Sequence, residues 1–231
     1  MKKTLSILIL ASVISSQGAT VNWGAGTDNG FSVGNTDLQS GNWARIGYFD
    51  VADSVLSANA FDLSFLNSHF TEFAATQIGL DLGGPGPEHG HFSASSGGNP
   101  AITGGVTPSI VGLQVYYWVF SSTNRTSSAL ALSSATAHGV FYANKTTNSG
   151  WAFPSQNPVP GSTTTDITDL TDAGGEVLAP GAAVVIGTFG TDNSNLSGSK
   201  NFGLAPVPEP TSAFLVAVGA AGLMMRRRRQ S

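Results

Sequence analysis

The sequence predicts an all-β fold, a jelly-roll-like β-sandwich with one or two short helices, and three observations carry that prediction. The 29 glycines, with abundant Ser, Thr and Asn, fall mostly in a body almost empty of Glu, Lys and Arg, the strong helix formers. Short aromatic and β-branched runs recur along this body, each punctuated by Gly, Asn or Pro. One run, Ile-Val-Gly-Leu-Gln-Val-Tyr-Tyr-Trp-Val-Phe over 110–120, is apolar on both faces, as a central, doubly covered strand must be.

Taken in order, Thr-Val-Asn-Trp-Gly over 20–24 reads as the first strand. Residues 43–51 alternate, placing Trp43, Arg45, Gly47 and Phe49 on one face and Ala44, Ile46 and Tyr48 on the other. Between 59 and 73 the pattern changes: Phe61, Phe65, Leu66, Phe70 and Phe73 recur at near-helical spacing after Asn59, a candidate cap. This predicts a short helix or pair of turns covering one end of the sandwich. Residues 127–135 are read as a further helical turn, and 138–143, 151–154 and 183–189 as strands. Pro108 precedes the central strand, where its missing N–H does no harm. The stretches 83–107 and 156–165, rich in Gly, Pro, Ser and Thr, read as loops.

Both ends differ from the body. Lys2-Lys3, an apolar stretch over 5–14 and the small residues of Ser15-Ser16-Gln17-Gly18-Ala19 come in secretory order. Residues 1–18 are thus expected to be a signal peptide, with cleavage after Gly18 favoured over cleavage after Ala19. At the other end Pro208-Glu209-Pro210 leads into fifteen uncharged residues, 211–225, closed by Arg226, Arg227, Arg228 and Arg229. As a helix those fifteen residues measure ~22 Å, against a hydrocarbon core of ~30 Å. Snorkelling arginines and local thinning can make up the difference. The arginines form a membrane stop that should stay in the cytoplasm, leaving the body outside.

The order of tripeptide, apolar segment and basic run within residues 207–231 resembles the PEP-CTERM sorting signal of Gram-negative bacteria. The resemblance covers about a tenth of the chain. It implies export, a pause in the inner membrane through a C-terminal transmembrane helix, and recognition by an exosortase, a membrane-embedded protease. It further implies cleavage near Pro208, Glu209 and Pro210 and delivery to the cell surface or extracellular polymer matrix, with exopolysaccharide as a further candidate partner. The chain then divides into 1–18, a body over 19–206, and the sorting signal over 207–231.

Charge and cysteine content limit the body's chemistry. Four basic residues (Arg45, Arg125, Lys145, Lys200) stand against thirteen acidic ones between 19 and 206, a net charge of about −9 with His neutral. Such a surface repels nucleic acid, so no nucleic-acid partner is expected. The acidity serves solubility or, alternatively, association with divalent cations in a surface polymer. The absence of cysteine removes disulfides, thiol catalysis and cysteine-ligated zinc.

No motif in the body amounts to an enzyme signature. Glu88-His89-Gly90-His91 suggests a metal, but in an extended chain the two histidines point away from Glu88, and no third ligand is identifiable. A solvated loop is the simpler reading. Asp166, Asp169 and Asp172 lack the glycine and terminal glutamate of a calcium loop; a turn with Ile167 and Leu170 tucked inward fits better. His69 and His138 are each read as hydrogen-bonded structural histidines. Asp50, Asp53, Asp62 and Glu72 are the carboxylates a glycosidase could draw on, though nothing in the sequence pairs them. Trp23, Trp43, Trp118 and Trp151 could be core or a sugar-stacking face; Trp118 is expected in the core and Trp151 near an edge. The expectation is a non-catalytic structural or adhesive body, needing no cofactor or metal, sorted to the cell surface. The alternative is a carbohydrate-binding module or glycan-active enzyme.

Overall fold

The computed structural model describes residues 20–25, 29–79, 90, 92–97, 110–154, 161–192 and 200–208. Along the chain run β1 (Thr20–Ala25), β2 (Phe31–Val33), β3 (Thr36–Asp37) and β4 (Trp43–Phe49), then helices α1 (Asp53–Ala58) and α2 (Leu63–Ser68). Next come β5 (Phe70–Gln77), β6 (Phe92–Gly97), β7 (Tyr116–Ser122), α3 (Ser128–Ser133) and β8 (Ala135–Ala143). Strands β9 (Ser162–Asp166), β10 (Ala182–Ile186), β11 (Thr188–Asp192), β12 (Lys200–Gly203) and β13 (Ala205–Pro206) follow. The predicted all-β sandwich is what forms.

A central antiparallel sheet runs β10-β8-β7-β4-β5, and β13 also pairs with β8. Two smaller sheets, β6-β1-β9 and β11-β12-β2-β3, cover one of its faces. They include two parallel pairs, β1 with β9 and β2 with β12. The other face carries the three short helices, packed through Leu56, Leu66, Ala131 and Leu132.

This layering explains the double-sided strands. In β7, Tyr117 and Val119 enter the core between sheets, while Tyr116, Trp118 and Phe120 enter the core beneath the helices. In β4, Ala44, Ile46 and Tyr48 take the first side and Phe49 the second, as the alternation requires. The sheets are also pinned by a polar contact. The fully buried Tyr117 hydroxyl donates to the Thr165 carbonyl (2.9 Å) and accepts from the Gly24 N–H (3.1 Å), tying β7 to β9 and β1.

Several elements differ from the sequence prediction. The apolar run over 110–120 is strand only from Tyr116; before it lie a turn and an isolated bridge at Gln114. The helical reading of 59–73 resolves into the end of α1, then α2, then β5. Asn59 is the C-cap of α1, with Nδ2 on the Val55 carbonyl, while Asp62 caps α2 by accepting from the Phe65 N–H at 2.8 Å. Both predicted loops hold a strand, β6 in the first and β9 in the second, each supplied with partners by β1. The predicted signal peptide, the Glu88-His89-His91 cluster and the apolar segment 211–225 lie outside the described residues.

Candidate functional site

The helix-bearing face of the central sheet holds a cleft of ≈ 640 Å³, within the ~300–1,000 Å³ usual for small-molecule sites. Its floor is Arg45 of β4 and Glu72 of β5. Its walls are Leu63, Ser64 and Asn67 from α2, facing Ser128, Ala129, Leu132 and Ser133 from α3. The geometry follows from local sequence. Asp62 and Ser127 start the two helices by accepting from the N–H three residues on, and Leu66 and Leu132 seat them on the sheet.

Arg45 is the chemical centre of this cleft. Only 7% exposed, it lies over the Phe70, Trp118 and Phe120 rings, with Cζ 4.7, 5.1 and 5.9 Å from their centroids. Its Nε donates to the Glu72 carboxylate and its Nη1 to Asn67 Oδ1 at 3.0 Å. Burial pulls the guanidinium's pKa down, opposed by the Glu72 charge and its hydrogen bond. An arginine starts so far above neutrality that it stays cationic. From sequence alone Arg45 falls on the Trp43–Phe49 face with no role assigned. The signal was there, because a cation on a strand face between aromatics has to find a partner.

The other sequence candidates are engaged in ways that hold the fold. Asp50 pairs with His69 at 2.7 Å, and Asp53 accepts from both the Tyr116 and Tyr142 hydroxyls at 3.0 and 2.7 Å. Burial first, then the Asp53 contact, pushes the Tyr142 phenol up to about 12, and burial likewise raises Tyr116. His138 is buried and doubly bonded, to Trp118 and to the Ala60 carbonyl. Ile167 and Leu170 do turn inward, while Asp166 and Asp169 form a reciprocal cap on the turn between them. Asp172 accepts from the Val177 and Glu176 N–H groups, which hold its carboxyl below the usual range. Among the described residues no group of three or more His, Asp or Glu is placed to hold a metal.

Trp23 and Trp118 are core residues, and Trp43 is half-buried with Nε1 on the Arg125 carbonyl. Trp151 is a correction. Rather than standing near an edge, it is fully buried, its ring 5.0 Å from Tyr117 and its Nε1 donating to Asp169 Oδ2 at 2.8 Å.

The chain leaves the body through β12 and β13. Phe202 and Leu204 are buried, the Leu204 N–H donates to Ser32, and β13 then crosses to the central sheet, pairing Ala205 with His138 and Pro206 with Ala137. The last bond of this strand is Val207 N–H to the Thr136 carbonyl at 2.8 Å; Pro208, next, is exposed. Glu209, Pro210 and Arg226, Arg227, Arg228 and Arg229 lie beyond the described residues, among which no helix is long and apolar enough to cross a membrane.

A family model described as the PEP-CTERM protein-sorting motif matches residues 206–229. No curated protein and no solved structure matches the chain. The motif marks a sorted, exported protein of the Gram-negative type and implies processing by an exosortase-type membrane enzyme.

Proposed function

We propose, from the motif that makes this chain a PEP-CTERM protein, that it is an exosortase substrate delivered to the cell surface or extracellular matrix, with a non-catalytic structural or adhesive β body. One observation carries the reading: the matched segment begins on the body's own last strand. The Val207–Thr136 bond lies immediately before Pro208, so little free chain separates a packed body from the tripeptide. The two prolines fix φ and bar helix continuation, which suits an extended segment offered to a membrane protease.

The non-catalytic reading is supported by the carboxylates that the sequence put forward. Asp50, Asp53, Asp62 and Glu72 hold, respectively, a histidine, two tyrosines, a helix start and an arginine. The second reading, a glycan-binding body, is favoured by one feature, the cleft over Arg45.

The test is intact-mass analysis of envelope protein from cells with and without the exosortase-type enzyme. The expected mature chain starts at Ala19 or Thr20 and has lost the Arg226–Arg229 tail only when the enzyme is present. A mature chain that keeps Met1, or loses its tail equally without the enzyme, overturns the proposal.

A further inference from the structure

The cleft between α2 and α3 has a charge balance that narrows its ligand. Arg45 and Glu72 are the charged residues lining it, and they neutralise each other. The body around them is strongly acidic, so an anionic ligand is repelled at long range and finds a guanidinium already paired. A cation finds one carboxylate, already bound to arginine. Neither kind of ion is favoured.

What the cleft does offer is neutral hydrogen bonding. The Ser64 and Ser128 hydroxyls have no partner among the described residues, and Asn67 uses its carbonyl on Arg45, leaving its amide NH2. The ion pair adds a donor and an acceptor side by side, held rigid by the three rings under Arg45. Leu63, Ala129 and Leu132 supply apolar wall between these groups. Adjacent donor and acceptor match a vicinal diol, one hydroxyl accepting from the guanidinium and its neighbour donating to the carboxylate. C–H edges of the same ring would meet the leucines.

We infer that this cleft is a binding subsite for a neutral sugar residue. The inference deepens the glycan-binding reading of the body and rests on it. Binding would be weak for a single residue, since the cleft lining contains no aromatic ring on which a sugar could stack. Affinity for a longer chain would come from repeated copies on a surface.

The experiment uses the protein as recovered from the envelope, titrated with neutral hexose oligosaccharides and, in parallel, with uronic-acid oligosaccharides, and read by calorimetry and saturation-transfer NMR. Neutral oligosaccharides are expected to bind, and Ala129→Met, which narrows the cleft from an exposed helix position without adding a ring, should weaken them at least tenfold. Asn67→Ala should do the same in part, at some cost in stability because it removes the acceptor of the buried Arg45 Nη1, so its folding is checked alongside by circular dichroism. No binding, binding of uronates alone, or binding that Ala129→Met leaves unchanged overturns the inference. The same preparation's mass reports sorting separately, so a chain that binds sugar yet keeps its tail refutes the sorting proposal and not the cleft.

Discussion

Trp118 Nε1 donates to His138 Nδ1 at 3.1 Å, and this bond sets the protonation state of the histidine. An indole N–H can only donate, so Nδ1 must accept, and Nε2 carries the proton that it gives to the Ala60 carbonyl at 2.6 Å. A second proton would have to sit on Nδ1, facing the indole N–H. Burial disfavours the cation as well and outweighs the carbonyl contact, so the pKa falls below 6.5.

The sign of the pH effect follows. As pH falls through 6.5 the unfolded chain takes up a proton at this position that the folded chain refuses, so stability falls with it. Urea unfolding should show a drop between pH 7.5 and pH 5.5 that His138→Gln removes, though the variant is less stable throughout. An equal pH dependence in the two proteins would contradict this account.

Asp53 accepts from two phenols, which ties α1 to β7 and β8. In a spectrophotometric titration Tyr116, Tyr117 and Tyr142 should remain protonated well past the ordinary value of 10, with Tyr142 ionising near 12. Asp53→Asn should bring Tyr142 down and cost about 1–3 kcal/mol, because it weakens two partly buried hydrogen bonds.

Gly47 lies where β4 passes under Phe70 and Thr71: a Cβ there would come within 2.2 Å of the Thr71 carbonyl and 2.5 Å of the Phe70 ring. Gly47→Ala should therefore destabilise the body by about 1–3 kcal/mol in urea unfolding, the usual cost of overpacking a core. Gly174→Ala, where the nearest atoms are 3.8 Å away, should change little.

The same region shows why some of the fold was legible and some was not. Phe70 and Phe73 are three residues apart, a spacing that on a helix would put them on one face. In the folded chain they lie on β5, where the two-residue alternation of a strand sends residues an odd number apart to opposite faces, Phe70 under the helices and Phe73 into the core between sheets. Tertiary pairing with β4 overrides the local pattern. β6 and β9 were hidden for a related reason: Phe-Ser-Ala-Ser-Ser-Gly and Ser-Thr-Thr-Thr-Asp are polar, and only their pairing with β1 makes them strands. The double-sided strand β7, the alternation of β4 and the inward Ile167 and Leu170 were readable because burial alone dictates them. The cleft was not, since Arg45, Glu72 and Asn67 meet only through the β4–β5 pairing and the seating of α2.

The central claim is that Pro208, Glu209 and Pro210 are read by a protease, and pulse-chase mass analysis of the Glu209→Ala variant in the native host tests it most directly. Glu209 is the sole charge between the body and the arginine run, so its loss removes the segment's one ionic handle. The account predicts full-length, tail-bearing protein held in the inner membrane, with little reaching the surface. Processing and surface delivery at the wild-type rate would contradict it and leave the tail as an anchor alone.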